Sequence, residues 1–351
     1  MESVKAQSYD VHIDELAQAA LNQHIAKNDY SKTFVLVDTN TKKYCLPAFE
    51  KKFEEPIDSI FEIEPGEENK NIQTCLQVWE QLSNFDGDRK SLLINLGGGV
   101  LTDLGGFVAS TFKRGIDFIN IPTTLLSMVD ASIGGKTGVD LGSLKNQIGV
   151  INQPQMVLIF PEFLKTLDPR QIKSGYAEML KHGLIKDKEY WDDLRRENIF
   201  EVASSIQKSI AIKNDVVMQD PTEKGLRKIL NFGHTLGHAI ESYCLENYDK
   251  KTLLHGEAIA IGMIMEGFLS HKLTGLSKLC LNEIKETFLQ HFEKVDFDTN
   301  DMDAILKLLK YDKKNSHGNI NFVLLQSIGV ALTDIKVPEN LFEEAFSYYK
   351  E

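Results

Sequence analysis

The sequence predicts an α/β protein in two parts. A parallel-sheet domain spans residues 1–167, a mainly α-helical domain spans 168–351, and the active site is expected in the cleft between them. Three observations carry this. At 351 residues the chain exceeds what one simple core organises well. Its first half alternates short apolar runs with stretches of helical spacing. After about Pro161 the strand-like runs stop and almost everything has a helical period.

The elements follow in order. Thr33 to Asp38 (TFVLVD), Ser91 to Gly99 (SLLINLGGG), Ile116 to Thr124 (IDFINIPTT) and Gln155 to Phe160 (QMVLIF) read as buried strands. Each is rich in β-branched or aromatic residues and ends in glycine, threonine, aspartate or proline. Ile72 to Leu82 between them has helical spacing, so the rhythm is βαβ and the domain Rossmann-like, with helices on both faces of a parallel sheet. In the second half Gln171 to Ile185, Glu189 to Asn214, Leu226 to Tyr243, His255 to Leu273 and Leu281 to Phe292 read as helices. A strand pair returns at Ile320 to Leu325 and Gly329 to Asp334. There is no internal repeat and no long linker.

Composition narrows the function. The formal charge of -12 argues against a nucleic-acid surface, which needs a basic face, and makes lysines clustered near glycines conspicuous. Cys45, Cys75, Cys244 and Cys280 are scattered with no CxxC pair, which fits buried reduced thiols better than a disulfide framework. No signal pattern opens the chain and no apolar run reaches the roughly 20 residues of a membrane span, so a cytoplasmic protein is expected.

Two glycine-rich segments point to phosphate. Asn95-Leu-Gly-Gly-Gly-Val-Leu-Thr-Asp-Leu-Gly-Gly106 follows a strand and leads into a helix, where backbone N–H groups and a helix N-terminus can hold an anion. It is not GxGxxG, because Thr102 stands where the last glycine would be. The bland reading is a tight turn for helix–strand packing; five glycines with Asp103 favour phosphate. Asp130-Ala-Ser-Ile-Gly-Gly-Lys-Thr-Gly138, followed by Lys145-Asn146, adds two lysines beside flexible backbone. Taken singly these could be solvent-facing loop lysines; together with the first segment they read as an anion site.

A metal site is the third signal. His234 and His238 stand at i and i+4 on one helical face, a good ligand spacing. Thr235 occupies the place of the general-base glutamate in H-E-x-x-H, which disfavours a zinc protease. Glu178, Lys181 and His182 share another face, and His255-Gly-Glu257 opens a further helix. A lone histidine is more often structural than a ligand; four histidines and a glutamate in helical contexts reverse that. Spacing does not say which three bind, and by itself favours the His234–His238 pair.

Taken together these segments resemble the 3-dehydroquinate synthase family of sugar-phosphate cyclases. The resemblance runs through PGEENK (from Pro65), GGGVLTD, FKRG, IPTTLLSMVDASIGGKTG, LKNQIG, FLKTL, SGYAEMLKHG, NFGHTLGHAIE, LHGEAIAIGM and DKKNSHG, in one order over most of the chain. It implies metal ligands at Glu178, His234 and His255, with Zn or Co as the ion, and moves His238 to the substrate phosphate. It implies a substrate pocket of Lys136, Lys145, Asn146, Lys181, Lys213, Arg227, Asn231 and a DKK lysine, Lys313 or Lys314, with Asp130 at its hydroxyl-binding edge. NAD contacts are implied at Glu67, Lys70, Gly98, Gly99, Val100, Asp103, Thr123, Thr124, Lys136, Lys145, Phe163 and Thr166. Arg114 of FKRG would reach the neighbouring subunit's phosphate site in a homodimer. Two departures stand out: Thr102 where the family more often has glycine, and a longer segment between Glu241 and His255.

The implied reaction converts 3-deoxy-D-arabino-heptulosonate 7-phosphate to 3-dehydroquinate and phosphate, with NAD reduced and reoxidised within one cycle. Cyclases making 2-deoxy-scyllo-inosose or valiolone-type rings act on substrates without the carboxylate, so Arg227, Lys136 and Asn231 together favour the carboxylated one. A metal-dependent polyol dehydrogenase would release NADH and has less use for so many anion-binding lysines. A catalytically dead nucleotide-binding protein could lose the ligands and lysines, and none is missing.

Overall fold

A computed structural model describes residues 2–142, 144–247, 249–309 and 320–351 of the chain. Lys313 and Lys314 lie outside the described residues. The chain divides into two compact units, Met1–Asp168 and Pro169–Glu351.

Unit one is built on β1 (Val4–Lys5), β2 (Asp10–Ile13), α1 (Glu15–Lys27), β3 (Thr33–Asp38), α2 (Thr39–Tyr44), α3 (Leu46–Glu50), β4 (Ser59–Ile63) and α4 (Ile72–Asn84). It continues with β5 (Leu92–Gly97), α5 (Gly99–Thr111), β6 (Asp117–Pro122), β7 (Lys136–Leu141), β8 (Leu144–Ile151) and β9 (Met156–Ile159). Seven strands form one sheet in the order β1-β2-β9-β6-β5-β3-β4, parallel except for β1 against β2. All six residues of β5 are buried, as expected of a strand covered on both faces. α4 shows how the covering helices are specified. Asn71 caps it by accepting from the Thr74 N–H at 3.0 Å, and Cys75, Val78 and Leu82 line its buried stripe. Phe34 and Phe61 stack between β3 and β4 with ring centroids 5.1 Å apart.

Unit two comprises α6 (Pro169–Lys186), α7 (Lys188–Leu194), α8 (Ile206–Gln219), α9 (His234–Glu246), α10 (His255–Leu273), α11 (Lys278–His291), α12 (Thr299–Leu308), the antiparallel hairpin β10 (Asn321–Ser327) and β11 (Val330–Lys336), and α13 (Asn340–Lys350). α10 is buried from Gly256 and Ala258 through Ser270 almost without interruption, the pattern of a central helix surrounded by others. α9, α6, α11 and α13 pack around it. No helix among the described residues is long and apolar enough to cross a membrane.

The structure corrects several expectations. The helix expected over Glu189 to Asn214 is interrupted: α7 stops at Leu194 and α8 starts at Ile206. Asn198 accepts from the Phe200 N–H at 3.1 Å between them, a local turn that competes with the helix. The helix expected over Leu226 to Tyr243 is a 3-10 turn at Leu226–Asn231 followed by α9, broken where Gly233 takes a left-handed φ of 80°. The segment around Lys136 to Asn146 is a β-hairpin rather than a loop.

Candidate active site

In unit one, β5 ends at Gly97 and α5 begins at Gly99, so Gly99 to Asp103 form a first helical turn rather than a loop. The N-cap is Gly98, where a side chain would meet Thr124 Cγ2 at 3.0 Å. The helix N-terminus therefore carries bare backbone, the surface a phosphate needs. Thr102, the departure from the family pattern, is buried with its hydroxyl 3.3 Å from both Gly99 O and Ser127 Oγ.

Beside this turn the structure gathers five residues from three segments. Lys70 is buried and donates to Asp103 Oδ2 at 2.6 Å and to Asn146 Oδ1 at 2.7 Å, while Lys145 pairs with Glu67 at 3.0 Å. Burial pulls the Lys70 ammonium down, but Asp103 and Glu67 outweigh it and hold its pKa above the usual lysine value. Asp140, which the sequence reading missed, closes the arrangement. Its Oδ1 accepts the N–H of Asn146, a residue at φ 53°, at 2.6 Å, and its own N–H donates to Lys70 O at 2.9 Å. Burial pushes the Asp140 carboxyl up.

The other unit-one candidates are placed as follows. The Thr123 N–H donates to Gly97 O at 3.0 Å, and Thr124 Oγ1 accepts from the Ser127 N–H at 3.2 Å. Asp130 sits half-buried in a π-turn over Ser127–Ala131, and Lys136 is exposed at the start of β7. Phe163 is buried, edge-on to Phe160, and accepts from the exposed Thr166 hydroxyl at 3.3 Å. Arg114 is exposed at φ 74° just after α5, while Val100 is half-buried in that helix.

In unit two, α6, α9 and α10 converge on one carboxylate. Glu178 is fully buried, ion-paired to Lys181, and its Oε1 lies 3.5 Å from His234 Nε2 and 3.4 Å from His255 Nε2. The other ring nitrogens are engaged: His234 Nδ1 is 3.0 Å from Phe232 O, and His255 Nδ1 is 3.2 Å from Glu241 Oε2. A carbonyl or carboxylate oxygen only accepts, so Nδ1 carries the proton in both rings and Nε2 is the position turned toward Glu178. Burial pushes His255 down, but Glu241 and Glu178 outweigh it and push its pKa up to about 9. Ligands about 2.0–2.1 Å from a tetrahedral ion stand about 3.4 Å apart. The two spacings around Glu178 Oε1 match that edge, and carboxylate with imidazole is a donor set for Zn or Co. The residues present therefore fit the expected ion. The ligating atoms of His234, His238 and His255 also lie within 4.8 Å of one another, so His238 stands at the rim of the same centre.

Elsewhere in this unit Lys213 and Arg227 are buried. Arg227 Nη1 donates to Pro221 O at 2.7 Å, and Asn231 Nδ2 donates to Glu223 Oε1 at 2.7 Å. His182 is buried with Nδ1 2.7 Å from Ser209 Oγ, one turn before Lys213 on α8. Glu257 of the HGE segment accepts the Leu254 N–H at 2.7 Å and pairs with Arg170 at 2.6 Å, so it fixes the start of α10. Glu241, another residue the sequence reading left without a role, had a signal: it is seven residues after His234 and shares its helical face.

Models of the N-terminal and C-terminal parts of 3-dehydroquinate synthase match residues 60–174 and 175–315. The chain belongs to the 3-dehydroquinate synthase family. A 3-dehydroquinate synthase from Parabacteroides distasonis is 42% identical over 345 residues, covering 95% of this chain and 96% of that protein. Among solved structures, a 2-epi-5-epi-valiolone synthase from Streptomyces hygroscopicus subsp. jinggangensis 5008, with NAD+ and Zn2+ bound, is 26% identical. It superposes with a TM-score of 0.81 over 100% of this chain and 99% of that one. A 2-deoxy-scyllo-inosose synthase complexed with carbaglucose-6-phosphate, NAD+ and Co2+ is 24% identical with a TM-score of 0.84, covering 98% and 99%, a likeness of fold. The chain thus shares an α/β architecture with these cyclases.

Proposed function

We propose that the chain is a phosphate-eliminating lyase that converts 3-deoxy-D-arabino-heptulosonate 7-phosphate to 3-dehydroquinate and phosphate, using NAD and one divalent metal ion. The observation that carries the reading is the convergence of His234 and His255 Nε2 on buried Glu178 Oε1, in a chain 42% identical to a 3-dehydroquinate synthase. When bound, NAD takes up and later returns a hydride and the metal ion polarises the hydroxyl being oxidised.

The chain's own residues do the rest. Glu178, His234 and His255 hold the ion, and Phe232 O and Glu241 fix the two rings so that Nε2 faces it. Lys181, ion-paired to Glu178, bonds the oxygens of the substrate at the same centre. Lys213, Arg227 and Asn231 anchor carboxylate and hydroxyl groups, and Asp130 and Asn146 orient the ring. His238, with Lys145 and a DKK lysine, holds the phosphate until it leaves and steadies its growing charge, while Lys136 works with Arg227 and Asn231 on the carboxylate. The first turn of α5, with Lys70 and Asp103, takes the NAD pyrophosphate side, and Glu67, Thr123, Thr124, Phe163 and Thr166 complete the cofactor contacts. Two copies pair, with Arg114 reaching the neighbouring phosphate site, and these reactants argue for a cytoplasmic enzyme.

The test is to supply the heptulosonate phosphate with catalytic NAD and Zn2+. Phosphate and 3-dehydroquinate should appear together with no lasting NADH. Accumulating NADH would point to a dehydrogenase, and turnover of a substrate lacking the carboxylate to a different cyclase.

A further inference from the structure

Glu266 lies on α10, about three turns after His255, outside the residues given a role above. Its side chain is fully buried. Oε2 accepts the Gly233 N–H at 2.6 Å and Oε1 accepts the Leu236 N–H at 3.0 Å. These are the N-cap and third residues of α9.

A helix start leaves N–H groups with no partner inside the helix, and the N-cap side chain usually supplies one. Gly233 has no side chain to give, and none fits: at φ 80° an added Cβ would meet Met263 Cγ at 2.3 Å. The neighbouring helix supplies the cap instead. Its carboxylate loses water in the core, and two backbone donors at the positive end of α9 replace it. His234 sits between the two donors, so the carboxylate grips the turn on either side of that ring. At Gly262 an added Cβ would meet Gly233 O at 2.0 Å, so α9 and α10 touch backbone to backbone here. The helix that provides the cap is also the one that begins with His255.

We propose that Glu266 is a positioning residue for the metal centre: by capping α9 from α10 it fixes the two helices in register and so aims His234 and His255 at the ion. This rests on the reading of Glu178, His234 and His255 as metal ligands. Leu or Met at this position would fill the core, but would leave the turn carrying His234 free to rotate.

The experiment measures Zn2+ affinity of the full-length protein by competition with a chromophoric chelator, alongside kcat and the KM for NAD. Glu266→Gln sets an amide NH2 against one of the two N–H donors. Zn2+ binding should weaken about 10- to 100-fold, the usual effect of losing support behind a ligand, and kcat should fall while the KM for NAD stays within about twofold. Ser270→Ala removes another buried bond of α10, from Ser270 Oγ to Glu266 O at 2.6 Å, and should leave Zn2+ affinity unchanged. Wild-type Zn2+ affinity in Glu266→Gln, or an equal loss in Ser270→Ala, overturns the proposal. If Glu266→Gln does not fold, Glu266→Asp, which retracts the charge by one methylene, carries the same criteria. His234→Ala tells the two readings apart. If it binds Zn2+ as the wild type does, the metal centre itself is misread and this inference falls with it; if only Glu266→Gln binds normally, the inference alone falls.

Discussion

Glu241→Gln probes the support behind a proposed metal ligand, His255, with little change of shape. Glu241 Oε2 lies 3.2 Å from His255 Nδ1, and the Glu241 side chain is 6% exposed. A hydrogen bond to a charged partner contributes about 1.5–3 kcal/mol, a neutral one about 0.5–1.5 kcal/mol. The exchange therefore costs roughly 1–1.5 kcal/mol of ring orientation and basicity, since the glutamine oxygen still accepts from Nδ1–H. At about 1.4 kcal/mol per tenfold, Zn2+ binding should weaken about tenfold. Glu241→Ala, which leaves the ring without its acceptor, should come nearer 100-fold, the upper end for such positions. Chelator competition on full-length protein reads both, with thermal melts to show that each variant remains folded. The order wild type, glutamine, alanine is the essential result. An alanine variant that binds Zn2+ like the wild type would refute the reasoning, because His255 would then need no partner to hold its aim.

Three further outcomes follow from the geometry. Lys70→Met removes the cation from a pair in which Lys70 is 5% and Asp103 19% exposed; breaking a buried pair costs about 3–5 kcal/mol, and partial access to water at Asp103 reduces this to roughly 2–3 kcal/mol by urea denaturation. Gly262→Ala drives a methyl into Gly233 O and should destabilise by about 1–3 kcal/mol while weakening Zn2+ binding, because α9 and α10 must part; an unchanged melting temperature would contradict the contact. Asp301 bonds Lys250 at 2.6 Å and the Tyr243 hydroxyl at 2.5 Å; burial raises its carboxyl, but these bonds outweigh it and hold its pKa below the usual range. A depressed folded pKa gives stability that is present above about pH 3.9 and lost as pH falls through the lower folded value. The gap between wild type and Asp301→Asn should therefore be widest near neutral pH and close in acid, in denaturation curves taken across that range.

Where a feature is periodic it was legible. Four strand runs and the α4 stripe come straight from apolar spacing, because each buries a face or a stripe. The β7–β8 hairpin escaped because no residue of β8 is buried and most are exposed, so no alternation marks it. The helix break between Leu194 and Ile206 escaped because apolar spacing runs on through a turn that side-chain hydrogen bonds impose. The Lys70 network escaped for a different reason. Its bonds to Asp103 and Asn146 join residues 33 and 76 apart, beyond any window in which spacing carries information.

The histidines show where spacing stops and tertiary structure begins. An i, i+4 interval places His234 and His238 on one face, and that is all it says. Which rings take an ion depends on what holds the far nitrogen and on what faces the near one. Phe232 O and Glu241 fix Nδ1 of His234 and His255, and Glu178 Oε1 stands within 3.5 Å of both Nε2 atoms. Phe232 O can face its own neighbour's ring because the chain turns through left-handed Gly233, and that turn is held by Glu266 from another helix. A local pattern nominated the residues; a residue three helical turns past His255 decides how one of them is aimed. Substituting the nominated histidines tests membership of the site, and substituting Glu266 tests its geometry.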